Sequence, residues 1–173
     1  MLTRYKDENT RRVIVDLSYG GNEAVNSHTE LGSYEGTPCV VTLPTIVHVL
    51  HQVLKSEDPY LIKVDISRAF RNIRIDPGDA MKCGVQHQGG YYVDKSLVFG
   101  AINGTNIFQC VSDAIRYILA QENRHIYNYI DDMFQANTKE GADSTFHRLC
   151  DLIKELGLPS IPKKLYLPQK SLP

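Results

Sequence analysis

The sequence has no apolar run near the ~18 residues that a membrane-spanning helix needs, so no membrane partner is expected. Its charged opening, Met1-Leu2-Thr3-Arg4-Tyr5-Lys6-Asp7-Glu8, has no apolar stretch behind it. No secretory signal is therefore expected, and the reading places the protein inside the cell, in cytoplasm or nucleus. Paired cysteines are missing too. Cys39, Cys83, Cys110 and Cys150 lie far apart with no CxxC, which excludes a disulfide framework or a cysteine zinc site. They read as reduced, mostly buried small hydrophobes. There is no basic excess either: 19 Lys and Arg face 20 Asp and Glu, for a net charge of −1. Dedicated nucleic-acid domains usually carry one, so such a function has to be argued from a site. No internal repeat is present. What remains is a 173-residue chain, 42% hydrophobic and 23% charged, which fits one globular domain with a real core.

Periodicity divides the chain into alternating elements. Arg12-Val13-Ile14-Val15-Asp16-Leu17 reads as a short strand, followed by a polar, Gly-rich stretch over residues 19–36. Residues 43–55 read as a helix, with Thr42 as cap, Pro44 in the first turn, and Ile46, Val47, Leu50 and Leu54 on one face. On that helix His48 and His51 stand at i,i+3, a spacing that suits a metal, but no third ligand lies nearby in sequence. Residues 60–66 are strand-like, and Asn72-Ile73-Arg74-Ile75 continues them up to the turn Asp76-Pro77-Gly78-Asp79. Residues 82–87 and 91–98 flank Gln88-Gly89-Gly90 as a hairpin.

From Thr105 to about Gln121 the period becomes helical. Ile107, Phe108, Val111, Ile115, Ile118 and Leu119 share a face, and Asn103 or Thr105 supplies the cap. A second hairpin, residues 125–130 and 133–136, carries Asp131 and Asp132 at its tip. A last helix over residues 139–156 buries Phe146, Leu149, Cys150, Ile153 and Leu156, with Gly157 as C-cap. Residues 158–173 read as an exit segment. Hairpins between helices predict an α+β fold, an antiparallel sheet with helices packed on one face.

Two short motifs carry chemistry. In Tyr129-Ile130-Asp131-Asp132, adjacent carboxylates repel one another beside apolar strands, and a hard dication such as Mg²⁺ relieves that repulsion. A solvated Asp-Asp turn is the plain alternative. In Lys63-Val64-Asp65-Ile66-Ser67-Arg68-Ala69-Phe70, Asp65 closes an apolar strand and can join the other two carboxylates. A residue capping a strand end is its alternative. Three carboxylates holding two metal ions ~4 Å apart could activate a primer 3′-hydroxyl and stabilise departing pyrophosphate. Such phosphoryl transfer asks mainly for positioning and charge stabilisation.

The ordered set resembles reverse transcriptases of retroelements, most narrowly the DIRS-type, tyrosine-recombinase retrotransposons. The stretches that carry the likeness are residues 12–18, Val25-Asn26, residues 65–77, His87-Gln88-Gly89, Phe99-Gly100, residues 128–132 and the closing Gly157-Leu158…Pro162-Lys163-Lys164. The resemblance covers residues 11–168. It implies an RNA-directed DNA polymerase with a polymerase palm and partial fingers, divided as residues 1–60 (fingers), 61–168 (mainly palm) and 169–173 (exit). Its partners would be an RNA or DNA template with primer and deoxynucleoside triphosphates (dNTPs), and its cofactor two Mg²⁺ or Mn²⁺ ions.

Residue by residue, Asp65 matches the family's first catalytic aspartate and Asp131 with Asp132 its catalytic pair. Ile66 matches a backbone carbonyl offered to metal. Arg68 and Ala69 match backbone amides that approach the triphosphate. Phe70 matches an aromatic gate against a ribose 2′-hydroxyl, core packing being its alternative. Arg12, with Arg11 as neighbour, matches an arginine that pairs with incoming phosphates. Phe99 and Gly100 match the pocket that opens the long helix, and Lys163 or Lys164 a lysine near the leaving pyrophosphate. Three departures stand out: Val98-Phe99-Gly100 replaces the usual Pro-Phe-Gly, the thumb that follows the final lysines in the family is expected to be missing, and little of the fingers is expected before Arg11. Two functions follow, an active polymerase core or a folded, inactive nucleic-acid-binding or structural remnant. A viral RNA-templated RNA polymerase is disfavoured by Tyr129-Ile130 before the aspartates and by Phe70 at the gate.

Overall fold

Ile62, Val64 and Ile66 alternate with Leu61, Lys63 and Asp65, and this period of two builds the central strand. In a computed structural model, the residues described are 2–7, 10–29, 33–34, 37–38, 41–44, 46–55, 59–158 and 166–170. The first six elements are the antiparallel pair β1 (Leu2–Asp7) and β2 (Thr10–Ile14), the two-residue strands β3 (Ser33–Tyr34) and β4 (Thr37–Pro38), helix α1 (Ile46–Leu54) and strand β5 (Tyr60–Asp65). They are followed by α2 (Pro77–Ala80), the hairpin β6 (Gly84–His87) and β7 (Gly90–Val93), the long helix α3 (Gly104–Gln121), β8 (Tyr127–Tyr129), β9 (Asp132–Asn137), α4 (Lys139–Glu155) and β10 (Tyr166–Lys170).

Four strands form one sheet in the order β10-β5-β9-β8, and every neighbouring pair is antiparallel. The fold is therefore the mixed helix and antiparallel-sheet arrangement that the sequence implied. One face of the sheet, with Ile62, Val64 and Met133, is buried with Phe108, Ile115 and Leu119 of α3 and with Phe146, Leu149 and Ile153 of α4. Each such side chain, once fully buried, contributes about 1.5–3 kcal/mol. The opposite face presents Lys63, Asp65, Asp132 and Phe134, none of them fully buried. A second, smaller cluster joins Leu17, Cys83 and Val98, with Val15, Val25, Ile75 and Ala101 packed around it.

Local chemistry fixes the ends of the elements. Asp76 caps α2 by accepting from the Gly78 amide at 2.8 Å, and Pro77 occupies the first turn. Thr138 caps α4 by accepting from Gly141 N at 3.3 Å. At the other end Gly157, at φ 70°, lets the Leu158 and Gly157 amides reach the carbonyls of Ile153 and Lys154, both at 3.0 Å.

Several expectations need correction. The helix expected over residues 43–55 runs Ile46–Leu54, but Val47, Leu50 and Leu54 are 66%, 49% and 81% exposed, so its apolar stripe faces solvent. Residues 72–75 are not a strand. A 3₁₀ turn, Ala69–Asn72, bends the chain there, and one bridge, Arg74 to Ser96, is what remains of the pairing. In α3 the buried line is Phe108, Ser112, Ile115 and Leu119, whereas Ile107 stays only half-buried. In α4 Leu152 is buried while Leu156 is exposed, because the turn at Gly157 carries the last residue out of the helix face. Cysteine burial is mixed: Cys83 is buried, Cys150 half-buried and Cys110 exposed, and all three are thiols. Burial pushes the thiols of Cys83 and Cys150 up. The segment read as an exit contains β10, which adds an edge strand beside β5. No helix among the described residues is long and apolar enough to cross a membrane.

Candidate active site

The register of β5 against β9 sets the site. Asp65 pairs directly with Asp132, and Val64 with Met133. Directly opposed residues of an antiparallel ladder point to the same face, so the carboxylates of Asp65 and Asp132 share the face of the sheet opposite α3 and α4. Asp131 precedes β9 in the turn, and its carbonyl accepts from the Ile66 amide at 3.0 Å. The hairpin tip is thus Ile130-Asp131, and Asp132 belongs to the strand rather than to the tip. All three aspartates are half-buried. The Lys63 ammonium reaches Asp132 Oδ2 at 2.8 Å from the same face of β5.

The turn is bolted to α3. Ile130 sits at φ 54°, a left-handed conformation that costs a β-branched residue about 1–2 kcal/mol. Its amide donates to Gln109 Oε1 at 2.9 Å, and its carbonyl accepts from the Ser112 hydroxyl. Two such bonds contribute on the order of 1 kcal/mol each, which is enough to hold the turn. Gln109 Nε2 and Asn128 Nδ2 both donate to Asp113 Oδ1, at 3.1 and 3.0 Å, so a buried polar network ties β8, the turn and the helix together. Gln109 and Ser112 were not singled out in the sequence, and Asn128 entered only as the first residue of the stretch 128–132. The available signal was a pair of polar residues, Gln109 and Ser112, at i,i+3 in an otherwise apolar stripe.

Five residues after Asp65, Phe70 joins a small aromatic cluster. Phe70 is half-buried, its ring 5.0 Å from Phe99 and 6.1 Å from Phe108, so it touches both the core and the loop that carries Phe99. Arg68 is exposed at φ 53° and leads into the 3₁₀ turn, with Ala69 buried behind it. The loop with Phe99 and Gly100 is fastened from the N-terminal side. Asn26 Nδ2 donates to the Gly100 carbonyl and to Ser18 Oγ, each at 2.9 Å, and its Oδ1 accepts from Ile102 N at 3.1 Å. Val15 N donates to the Phe99 carbonyl at 3.1 Å. Gly100 stands at φ 117°, where a β-carbon would run into the Val15 carbonyl oxygen. Arg12 is in β2, and its side chain, like all of Lys163 and Lys164, lies outside the described residues.

The donor set suits a hard dication. Magnesium commonly takes one or two carboxylates and completes its shell with water and substrate phosphates, and Asp65 with Asp132 supplies two on one face. Among the described residues no three His, Cys, Asp or Glu side chains are grouped so as to hold a metal by themselves. The Lys63 ammonium meanwhile neutralises part of the charge on Asp132.

The sequence matches no protein-family model and no curated protein. Its structure is similar to the protease–reverse transcriptase of prototype foamy virus. A selenomethionine-labelled CSH mutant of that protein superposes with a TM-score of 0.69 at 17% identity, over 95% of this chain and 20% of that one. The native protein gives 0.67 at 17% identity, with the same coverage of 95% and 20%. A foamy viral protease–reverse transcriptase dRH, in complex with double-stranded DNA, gives 0.74 at 18% identity, over 98% of this chain and 27% of that one. The chain thus spans about a fifth to a quarter of the length of these neighbours. Its helices and antiparallel sheet have the fold of part of a reverse transcriptase.

Proposed function

We propose that the chain is the polymerase core of a retroelement reverse transcriptase, of DIRS type by its motifs, and that it extends a primer 3′-hydroxyl with dNTPs on an RNA or DNA template. The observation that carries the reading is the direct pairing of Asp65 with Asp132, beside Asp131, in a reverse-transcriptase-like fold. Asp65, Asp131, Asp132 and the Ile66 carbonyl would hold two Mg²⁺ or Mn²⁺ ions, which when bound supply Lewis-acid stabilisation of the reacting phosphates. The chain's own contribution is positioning. The fixed turn at Ile130 keeps two carboxylates at a set height over the sheet, and the Phe70–Phe99 wall excludes water from the sugar side of the pocket. The Phe70 ring would crowd a ribose 2′-hydroxyl. The backbone amides of Arg68 and Ala69, with Arg12 and Lys163 or Lys164, would meet the triphosphate. The duplex DNA bound to the foamy viral neighbour supports a primer–template as partner.

The Lys63–Asp132 ion pair favours a second reading, a nucleic-acid-binding palm without turnover, because an ammonium already neutralises one carboxylate of the set. Primer extension by the longest open reading frame containing this chain separates the two. Metal-dependent dNTP incorporation should disappear in Asp65→Asn and Asp131→Asn, and Phe70→Ala should admit ribonucleotides while extension survives in part. Incorporation indifferent to Asp131→Asn would sink the proposal. Primer–template binding with no incorporation by the wild type would establish the second reading.

A further inference from the structure

Away from the carboxylates, α1 carries two parallel stripes. Val47, Leu50 and Leu54 form the exposed apolar one. His48 and His51, with Lys55 in the turn just past the helix, form the other at i,i+3,i+7, and this stripe lines a cavity of about 500 Å³ between α1, α3 and the outer end of β8. Tyr127 secures α1 there by donating its hydroxyl to the His48 carbonyl at 3.1 Å. The far wall adds Arg116 from α3 and His125 from the segment entering β8. Five basic side chains thus come together in a protein whose net charge is −1.

The third histidine, His125, is the partner that the pair His48 and His51 lacked in sequence. Even so, among the described residues no three such side chains stand close enough to share a metal ion. The donors instead surround a volume in the range of small-molecule sites, roughly 300–1,000 Å³. The acid described in its lining, Asp113, is already engaged: its Oδ1 accepts from Gln109 and Asn128 and faces Arg116 at 3.3 Å. Imidazole N–H, ammonium and guanidinium groups are donors to phosphate oxygens. Tyr117, 66% exposed on the same wall, offers a flat ring on which a base can stack.

We propose that this cavity is a second nucleotide-phosphate site, separate from the carboxylates, that takes either a free nucleotide or one nucleotide unit of a strand. It includes none of Asp65, Asp131, Asp132, Phe70 and Phe99. Its test is kept independent of the polymerase reading by working in a chelator, so that no metal ion holds nucleotide at the aspartates. Adenosine monophosphate and a short single-stranded oligothymidylate are titrated separately into the wild-type chain while the histidine ring protons are followed by NMR.

The chain has six histidines. The signals of His48, His51 and His125 should shift with saturation, and those of His28, His87 and His147 should stay. Tighter binding of the oligonucleotide than of the mononucleotide assigns the site to a strand; the reverse order assigns it to a free nucleotide. The variant Lys55→Gln/Arg116→Gln should lose about tenfold in affinity, as expected on removing charged hydrogen-bond donors. Lys95→Gln/Lys154→Gln, which removes the same charge elsewhere, and Asp131→Asn should bind as wild type. Equal losses in the two double variants, or shifts absent from the three cavity histidines, would overturn the site.

Discussion

The sheet with α3 and α4 and the loop that carries Phe99 and Gly100 meet at the Phe70 ring but are held in different ways. Among the described residues the first region buries fourteen apolar side chains in one cluster, and the second buries three. What the second lacks in packing it recovers in hydrogen bonds, through the Asn26 side chain and the Val15 amide. Buried apolar area is non-directional, whereas hydrogen bonds fix orientation at modest net energy. The carboxylates therefore stand on the more densely packed region, and the loop with Phe99 and Gly100 is expected to open at lower free energy.

The sharpest way to break this contrast is to empty one position in each region. Phe108→Ala, in the larger cluster and against the Phe70 ring, should destabilise the protein by about 3–5 kcal/mol, whereas Val98→Ala should cost only ~2 kcal/mol. Denaturant midpoints decide it, and equal losses would mean that the two regions share one core. A gentler cut is Asn26→Ala, which removes two hydrogen bonds from the loop and a third to Ser18, and should cost about 1–2 kcal/mol. Amide exchange at Ile102 should accelerate while exchange in β5 and β9 stays slow. Uniform acceleration would show that the loop does not open separately.

The smallest effect lies outside both regions. The Arg148 guanidinium holds the Glu122 carboxyl below the usual carboxylate range by bonding both its oxygens. A depressed folded value means that this contribution is present above the unfolded value of about 4.3 and is lost as pH falls through the folded one. Wild type should therefore melt slightly above Glu122→Gln at neutral pH, and the gap should close in acid. The pair is solvent-screened, so the gap is small. A gap that widens in acid would reverse the assignment.

Strand β5 was readable because its buried residues alternate, Ile62 and Val64 with Lys63 and Asp65 between and beside them, whereas in β9 the period breaks where Gln135 and Ala136 are both buried. The orientation of α3 was less readable. An apolar period selects Ile107 and Val111, but the helix turns Gln109 and Ser112 inward to serve the backbone of Ile130, and no hydrophobic pattern records that demand. The exposure of α1's apolar stripe is likewise invisible, since amphipathicity says that a face is apolar and not what covers it. Strand β10 escaped notice because Pro168 argues against a strand. At a sheet edge, with the register shifted between Tyr166 and Gln169, the missing N–H is tolerated. Lys63 was hidden by distance, 69 positions from the aspartate it pairs with.

The pairing of Asp65 with Asp132 also sets which inherited changes the site can absorb. Side chains on a strand alternate between faces, so the arrangement responds to residue number as well as to residue type. Substitutions along β5 or β9 weaken it by degrees, each by the contact it removes. Insertion or loss of one codon between Ile62 and Asp65 leaves the composition nearly unchanged, yet it turns Asp65 toward the core or drags Val64 out to the solvent side. For a gene copied through many generations, the number of codons within these two short strands is thus under tighter constraint than most of the letters that fill them.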